Sequence, residues 1–260
     1  MSTLHYWTRT GIWSLALVFM LTFSLHAATV TWDGSESGDW SDGSNWVGGT
    51  APVSNDVVVL TSGTFAPTNM DLIGGYFSRI DVDSTNLVSF TLSGNPFSVG
   101  DFYFSSNPAA TQDYTLLPDI TMTADSTWYV QSRVNMYFNG SISESGLSWA
   151  LEANGNGNIY FYGTNTFSGG IHYNQVYAHF YGIDTLGTMP TAFDEDYFTT
   201  GSGIWIFESP DSNYYKYTLS TNAGFQTTSG SGQWDDGAWL RVGEDVKVVI
   251  NTPPQRERGQ

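Results

Sequence analysis

The chain has 260 residues, 25 Asp and Glu against eight Lys and Arg, and a formal net charge of −17. So negative a surface repels phosphate backbones and disfavours nucleic acid as a partner, as well as anionic polysaccharides not bridged by metal. With no cysteine, disulfides, thiolate chemistry and Cys-based zinc sites are excluded.

Only 13% of residues are charged and 16% are aromatic, with 28 glycines and many Ser, Thr and Asn. That mix favours strands and turns, and long stretches rich in Ala, Glu, Lys and Leu are absent, which predicts an all-β protein.

Residues 1–28 differ from the rest. Arg9 supplies a positive start, "GIWSLALVFMLTFSL" is a 15-residue apolar run, and "HAA" adds small residues after it. This is the layout of a secretory signal peptide, too short to be a membrane span. Cleavage is expected after Ala27 or Ala28, leaving no membrane-spanning stretch in the mature chain. Residues 29–60 mix short strand-like pieces ("TVTW", "DVVVL") with turn-forming residues and three tryptophans, Trp32, Trp40 and Trp46. They predict a loop-rich N-terminal cap whose tryptophans pack on the first strands. Exposure of the same rings for sugar stacking is the alternative.

Residues 61–250 are read as the main β domain. From residue 80 onward, alternating segments recur between turns, among them "VSFTL", "DFYFS", "TWYV", "NMYFNG", "NIYFYG" and "AHFYG". Three end on Phe-x-Gly, at Phe138–Gly140, Phe161–Gly163 and Phe180–Gly182. The tripeptide returns at intervals of roughly 20 residues, the length of one coil of a stacked β-solenoid. A β-sandwich or jelly roll remains the alternative, though it gives no reason for one tripeptide to return in each coil. Residues 251–260, with two prolines and no large apolar residue, read as a disordered tail.

Superposing the three segments predicts faces, because residues two apart in a strand share one. Met136, Ile159 and Ala178 form one inward column, and Phe138, Phe161 and Phe180 the next. Tyr137, Tyr160 and His179 form an outward column, followed by Asn139, Tyr162 and Tyr181. Tyr137, Tyr160, Tyr162, His179 and Tyr181 are therefore the candidate binding residues, an exposed aromatic strip for a surface glycan or a protein partner.

Around the last two segments, Gly155 and Gly157 lead into a strand at 159–163. A turn "NTFSGG" follows at 165–170, then a strand from Ile171 and a Leu186-Gly187 close. This unit, about residues 147–187, resembles the autotransporter-associated β-strand repeat. Trp32-Asp33-Gly34, Trp40, Asn45-Trp46, Pro52 and Asp56 are similar to the opening of large exported proteins that carry such repeats. The resemblance implies a right-handed parallel β-helix, exported and shown at the cell surface. Asn165 and Thr166 suit a turn by bonding nearby backbone, and Gly169-Gly170 permit positive φ at a corner.

Parallel β-helices also host polysaccharide-degrading enzymes, so carboxylates and histidines are candidate catalytic or metal groups. Asp235-Asp236 and Asp194, Glu195 and Asp196 lack the accompanying signature residues, and in so acidic a chain such clusters are ordinarily solvated turns. His172 and His179 lie seven residues apart without a third ligand at a recognised spacing. "DVDSTN" at 81–86 opens like a calcium loop but lacks its central Gly and closing Glu. The reading is a non-catalytic protein without a cofactor or dedicated metal site: an adhesin or structural spacer first, a carbohydrate-binding module second, a polysaccharide-degrading enzyme third.

Overall fold

The computed structural model describes residues 27–107, 109–146, 149–189, 194–200, 204–209, 215–219, 223–227, 239–242 and 246–250. The apolar leader, the tail at 251–260 and Asp235-Asp236 lie outside them.

Strands succeed one another along the chain. The first are β1 (Thr29–Thr31), β2 (Asp56–Leu60), β3 (Asn69–Met70), β4 (Gly75–Val82), β5 (Phe90–Gly94), β6 (Phe97–Phe104) and β7 (Gln112–Leu116). Then come β8 (Ile120–Met122), β9 (Ser126–Val130), β10 (Val134–Phe138), β11 (Ile142–Glu144), β12 (Leu151–Asn154), β13 (Asn158–Phe161), β14 (Ile171–Asn174) and β15 (Tyr177–Tyr181). The last are β16 (Asp194–Thr200), β17 (Ile204–Glu208), β18 (Tyr215–Leu219), β19 (Ala223–Thr227), β20 (Trp239–Val242) and β21 (Val246–Ile250). A first sheet runs β1-β2-β4-β6-β9-β12-β14-β16-β19, with β8 beside β6 and β11 beside β8. A second runs β3-β5-β7-β10-β13-β15-β17-β20, and β18 pairs with β21.

The ladders between these strands are parallel, and each joins strands about one coil apart in sequence. Parallel neighbours cannot be joined by a tight hairpin. Here the connection from one strand to the next in its sheet is the other sheet's strand. The result is a β-solenoid of about six turns, and the sandwich alternative is set aside.

Alternation fills the inside. In β2 and β10 every second residue is buried, and the buried set is dominated by Val, Leu, Met and Phe. The register pairs Met136 with Ile159 and Ile159 with Ala178, and likewise Phe138 with Phe161 and Phe161 with Phe180. All six are at most 1% exposed. The phenylalanines stack at 5.8 and 5.2 Å between ring centroids. Trp128 of the first sheet lies 4.4 Å from Phe138 of the second, so the two inner faces meet across the interior. Each such ring contributes about 1.5–3 kcal/mol by leaving water.

Residues 32–46 close the first coil. Trp32, Trp40 and Trp46 are buried, meeting edge-to-face at 5.0 and 5.5 Å, with Trp40 against Phe77 of β4. Their indole N–H groups are partly satisfied: Trp32 donates to the Phe65 carbonyl beyond the cap, and Trp46 to that of Trp40 within it. Buried Asn45 accepts from the backbone of Glu36 and Ser37 and donates to the Asp39 carbonyl. Asp39 in turn bridges to Asn69 of β3, the edge strand of the second sheet. These rings are core and offer no platform for a sugar.

At the "NTFSGG" turn, Gly170 has φ of 98°, while Gly169 does not adopt positive φ. Of the Phe-x-Gly glycines, Gly182 likewise has positive φ, of 118°, but Gly140 and Gly163 meet a different demand. A Cβ on Gly163 would overlap the carbonyl oxygen of Gly140, one coil earlier. Asn165 also departs from expectation. Its side chain reaches neighbouring coils, not nearby backbone: Oδ1 accepts from Ile142 N–H at 2.8 Å, and Nδ2 donates to the Thr185 carbonyl at 2.7 Å.

Candidate functional site

The outer face of the second sheet carries three adjoining columns. In the first, Thr115, Tyr137, Tyr160 and His179 are in register on β7, β10, β13 and β15. Tyr137 and Tyr160 stack at 4.6 Å and 11°, and Tyr160 and His179 at 4.3 Å and 20°. The second holds Tyr162 and Tyr181, stacked at 4.3 Å and 17°. Asn139, expected beneath them, adds no ring. The third is polar: Asn158 donates to Asn135 at 2.8 Å, and Asn135 to Asp113 at 2.7 Å. The five candidate residues thus come together on one surface, as strand alternation places them.

The stacking decides what this surface offers. Rings lying face to face along the coil axis occupy one another's faces and turn their edges outward. A sugar can therefore lie on a ring only where a stack ends, and elsewhere the strip presents hydroxyl edges. Tyr162 is the most open of the five, 43% exposed, and the other four are half-buried. The hydroxyls of Tyr137, Tyr160 and Tyr181 stay protonated well into the alkaline range. Burial, with the Asp113 charge second, pushes Tyr137 up to about 12. Burial likewise raises Tyr160, and it raises Tyr181, with the Tyr162 hydroxyl adding to the effect. His179 Nδ1 lies 3.3 Å from Glu208 Oε1, which ties the top of the first column to β17.

The remaining candidates do not converge. His172 is on β14 of the first sheet, in register with Glu152, whereas His179 is on the second sheet. Asp194, Glu195 and Asp196 stand at the start of β16. Asp83, within "DVDSTN", turns its carboxylate to its own surroundings, accepting from Thr85, from Asn86 and from Thr61 across the coil. Burial pushes that carboxyl up, but these hydrogen bonds outweigh it and hold it below the usual range. Among the described residues, no group of three or more His, Asp or Glu is placed to hold a metal ion.

A second aromatic stack was missed by the sequence reading. Tyr103 of β6 and Tyr129 of β9 lie on the outer face of the first sheet, 5.3 Å apart and within 3° of parallel. The signal was present: "DFYF" and "TWYV" each place an outward tyrosine beside inward Phe102 and Trp128. Neither segment ends on the glycine used to align the others.

Neither a protein family, nor a curated protein, nor a solved structure matches the chain. Among the described residues no helix is long and apolar enough to cross a membrane.

Proposed function

We propose that the chain is an exported, non-catalytic surface protein of the β-solenoid class, working as an adhesin or structural spacer. The observation that carries this reading is the repetition of outward columns over successive coils. It yields a long ordered face assembled from ladders. The apolar leader and the resemblance to the autotransporter-associated repeat support export and display. A second reading, a carbohydrate-binding module, is favoured by the Asp113–Asn135–Asn158 ladder beside the tyrosine hydroxyls, since amides and carboxylates hydrogen-bond sugar hydroxyls.

The test has two parts. Mass spectrometry of exported protein should find a mature N-terminus at Ala28 or Thr29; protein retained in the cytoplasm and still carrying Met1 overturns export. Purified protein, immobilised on beads, should adhere to a cell surface, and the paired substitutions Tyr162→Ser and Tyr181→Ser should remove that adhesion without changing the circular dichroism. Unchanged adhesion in the pair overturns the strip as the adhesive face.

A further inference from the structure

The outer face of the first sheet holds a notch outside the strip. Its central column reads Val59, Asp81, Tyr103, Tyr129 and Asn154, in register from β2 to β12. Tyr129 covers one side of the Tyr103 ring. On the other side the column steps down to Asp81 and Val59, both shorter, and the surface dips. A cavity of about 180 Å³ lies there, lined by Val59, Asp81, Val82, Asp83, Tyr103 and Ser105. Here an aromatic stack ends beside open space.

The polar groups around it are held in place. Gln131 Nε2 donates to the Tyr103 hydroxyl at 2.8 Å, which leaves that O–H free to donate. Arg79 grips Asp81 through both carboxylate oxygens, at 2.6 and 2.7 Å. Asp83 is fixed by Thr61, Thr85 and Asn86, and Ser105 Oγ by the Ser84 N–H. Arg79 compensates the charge of Asp81, whose Oδ2 keeps accepting capacity, whereas Asp83 stays anionic with its acceptor sites taken up by neutral donors.

We propose that this notch is a binding subsite for one neutral pyranose unit of a polysaccharide. The C–H face of the sugar packs on Tyr103 and Val59, and one of its hydroxyls donates to Asp81 Oδ2. The volume suits a single ring, being below that of pockets for larger ligands. An acidic sugar is disfavoured by the two carboxylates. An organic cation finds one of them already paired with Arg79 and the other engaged by three residues. The proposal takes its ligand class from the carbohydrate-binding reading and is independent of export or display.

The experiment uses the purified mature chain with gluco-, manno-, galacto- and xylo-oligosaccharides. Saturation-transfer NMR and calorimetry detect binding, and shifts of the two Val59 methyls locate it. One of these neutral series should bind, move both methyls and retain its affinity as salt is raised. Tyr103→Ala should weaken it about tenfold or more, Tyr103→Phe should keep it within about threefold, and Tyr162→Ser should leave it alone. Affinity unchanged in Tyr103→Ala, or methyls that do not shift, overturns the notch. If binding is instead lost in Tyr162→Ser, the carbohydrate reading survives and the notch falls. If no oligosaccharide binds, both fall. Displacement by tetramethylammonium together with steep loss on adding salt would make the notch a cation site and refute the sugar assignment.

Discussion

Replacing Asn165 with alanine is the most direct probe of how the coils are joined. The Asn165 side chain is 5% exposed, and it links a coil to both its neighbours through Ile142 N–H and the Thr185 carbonyl. Alanine retains the residue's own backbone bond to Asp184 and deletes both side-chain bonds. The two abandoned partners belong to residues 0% and 2% exposed, so little water reaches them. A buried group left without its partner costs about 1–3 kcal/mol, and two of them sum to ~2–6 kcal/mol. That is a large share of the ~5–15 kcal/mol stability of an ordinary domain. Asn165→Asp should be no milder, since it sets a carboxylate against the Thr185 carbonyl. Urea unfolding reads the loss as a lower midpoint, and amide exchange at Ile142 should speed up in the same variant. The bridging role is refuted by a midpoint shift worth under ~0.5 kcal/mol, the size of an ordinary surface substitution, with Ile142 exchanging as slowly as before.

Three further outcomes are expected. Gly170→Val forces a β-branched residue to φ near 98°, at a cost of order 1–3 kcal/mol, and calorimetry should show Tm falling by roughly 2–10 °C. Gly163→Ala drives a methyl into the Gly140 carbonyl, so the coils must separate there; a loss of about 1–3 kcal/mol should appear in urea unfolding although φ is ordinary. Tyr114 and Tyr137 are both pushed up to about 12, chiefly by burial, so the folded state holds their protons when unfolded tyrosines release theirs near 10. Their contribution is therefore complete below pH ~10 and is lost as pH rises towards ~12. Alkaline melting curves should decline across that window, and tyrosinate absorbance should rise in step with unfolding.

The parallel pairing was legible because repeated apolar columns have to superpose. Once Phe138, Phe161 and Phe180 share a column, alternation assigns Tyr137, Tyr160 and His179 to the outside without further information. Ring orientation was not legible: a column fixes which residues are neighbours, and side-chain torsions decide whether they meet face to face. Asn165 was misread for a related reason. From sequence its reach extends only to nearby backbone, whereas its partners, Ile142 and Thr185, come from the coils before and after its own. The Tyr103–Tyr129 stack was hidden by an offset that changes within one strand. The step along the chain from Phe102 to its partner Trp128 is longer than that from Phe97 to its partner Ile120, because the chain between β8 and β9 loops out before rejoining β6. A fixed period could not find it.

The order of strands in each sheet has a mechanical consequence. Sequence order and axial order coincide, so a pull on the chain ends acts along the coil axis, in line with the inter-strand hydrogen bonds. Such a load falls first on the terminal rung, and rungs then fail in succession instead of sharing the force. A coil such as the one from Met136 to its partner Ile159 releases roughly 75–80 Å of extended chain as it peels away. Under tension the molecule would lengthen in steps while the remaining coils kept their fold, as a shock absorber does between two anchored surfaces.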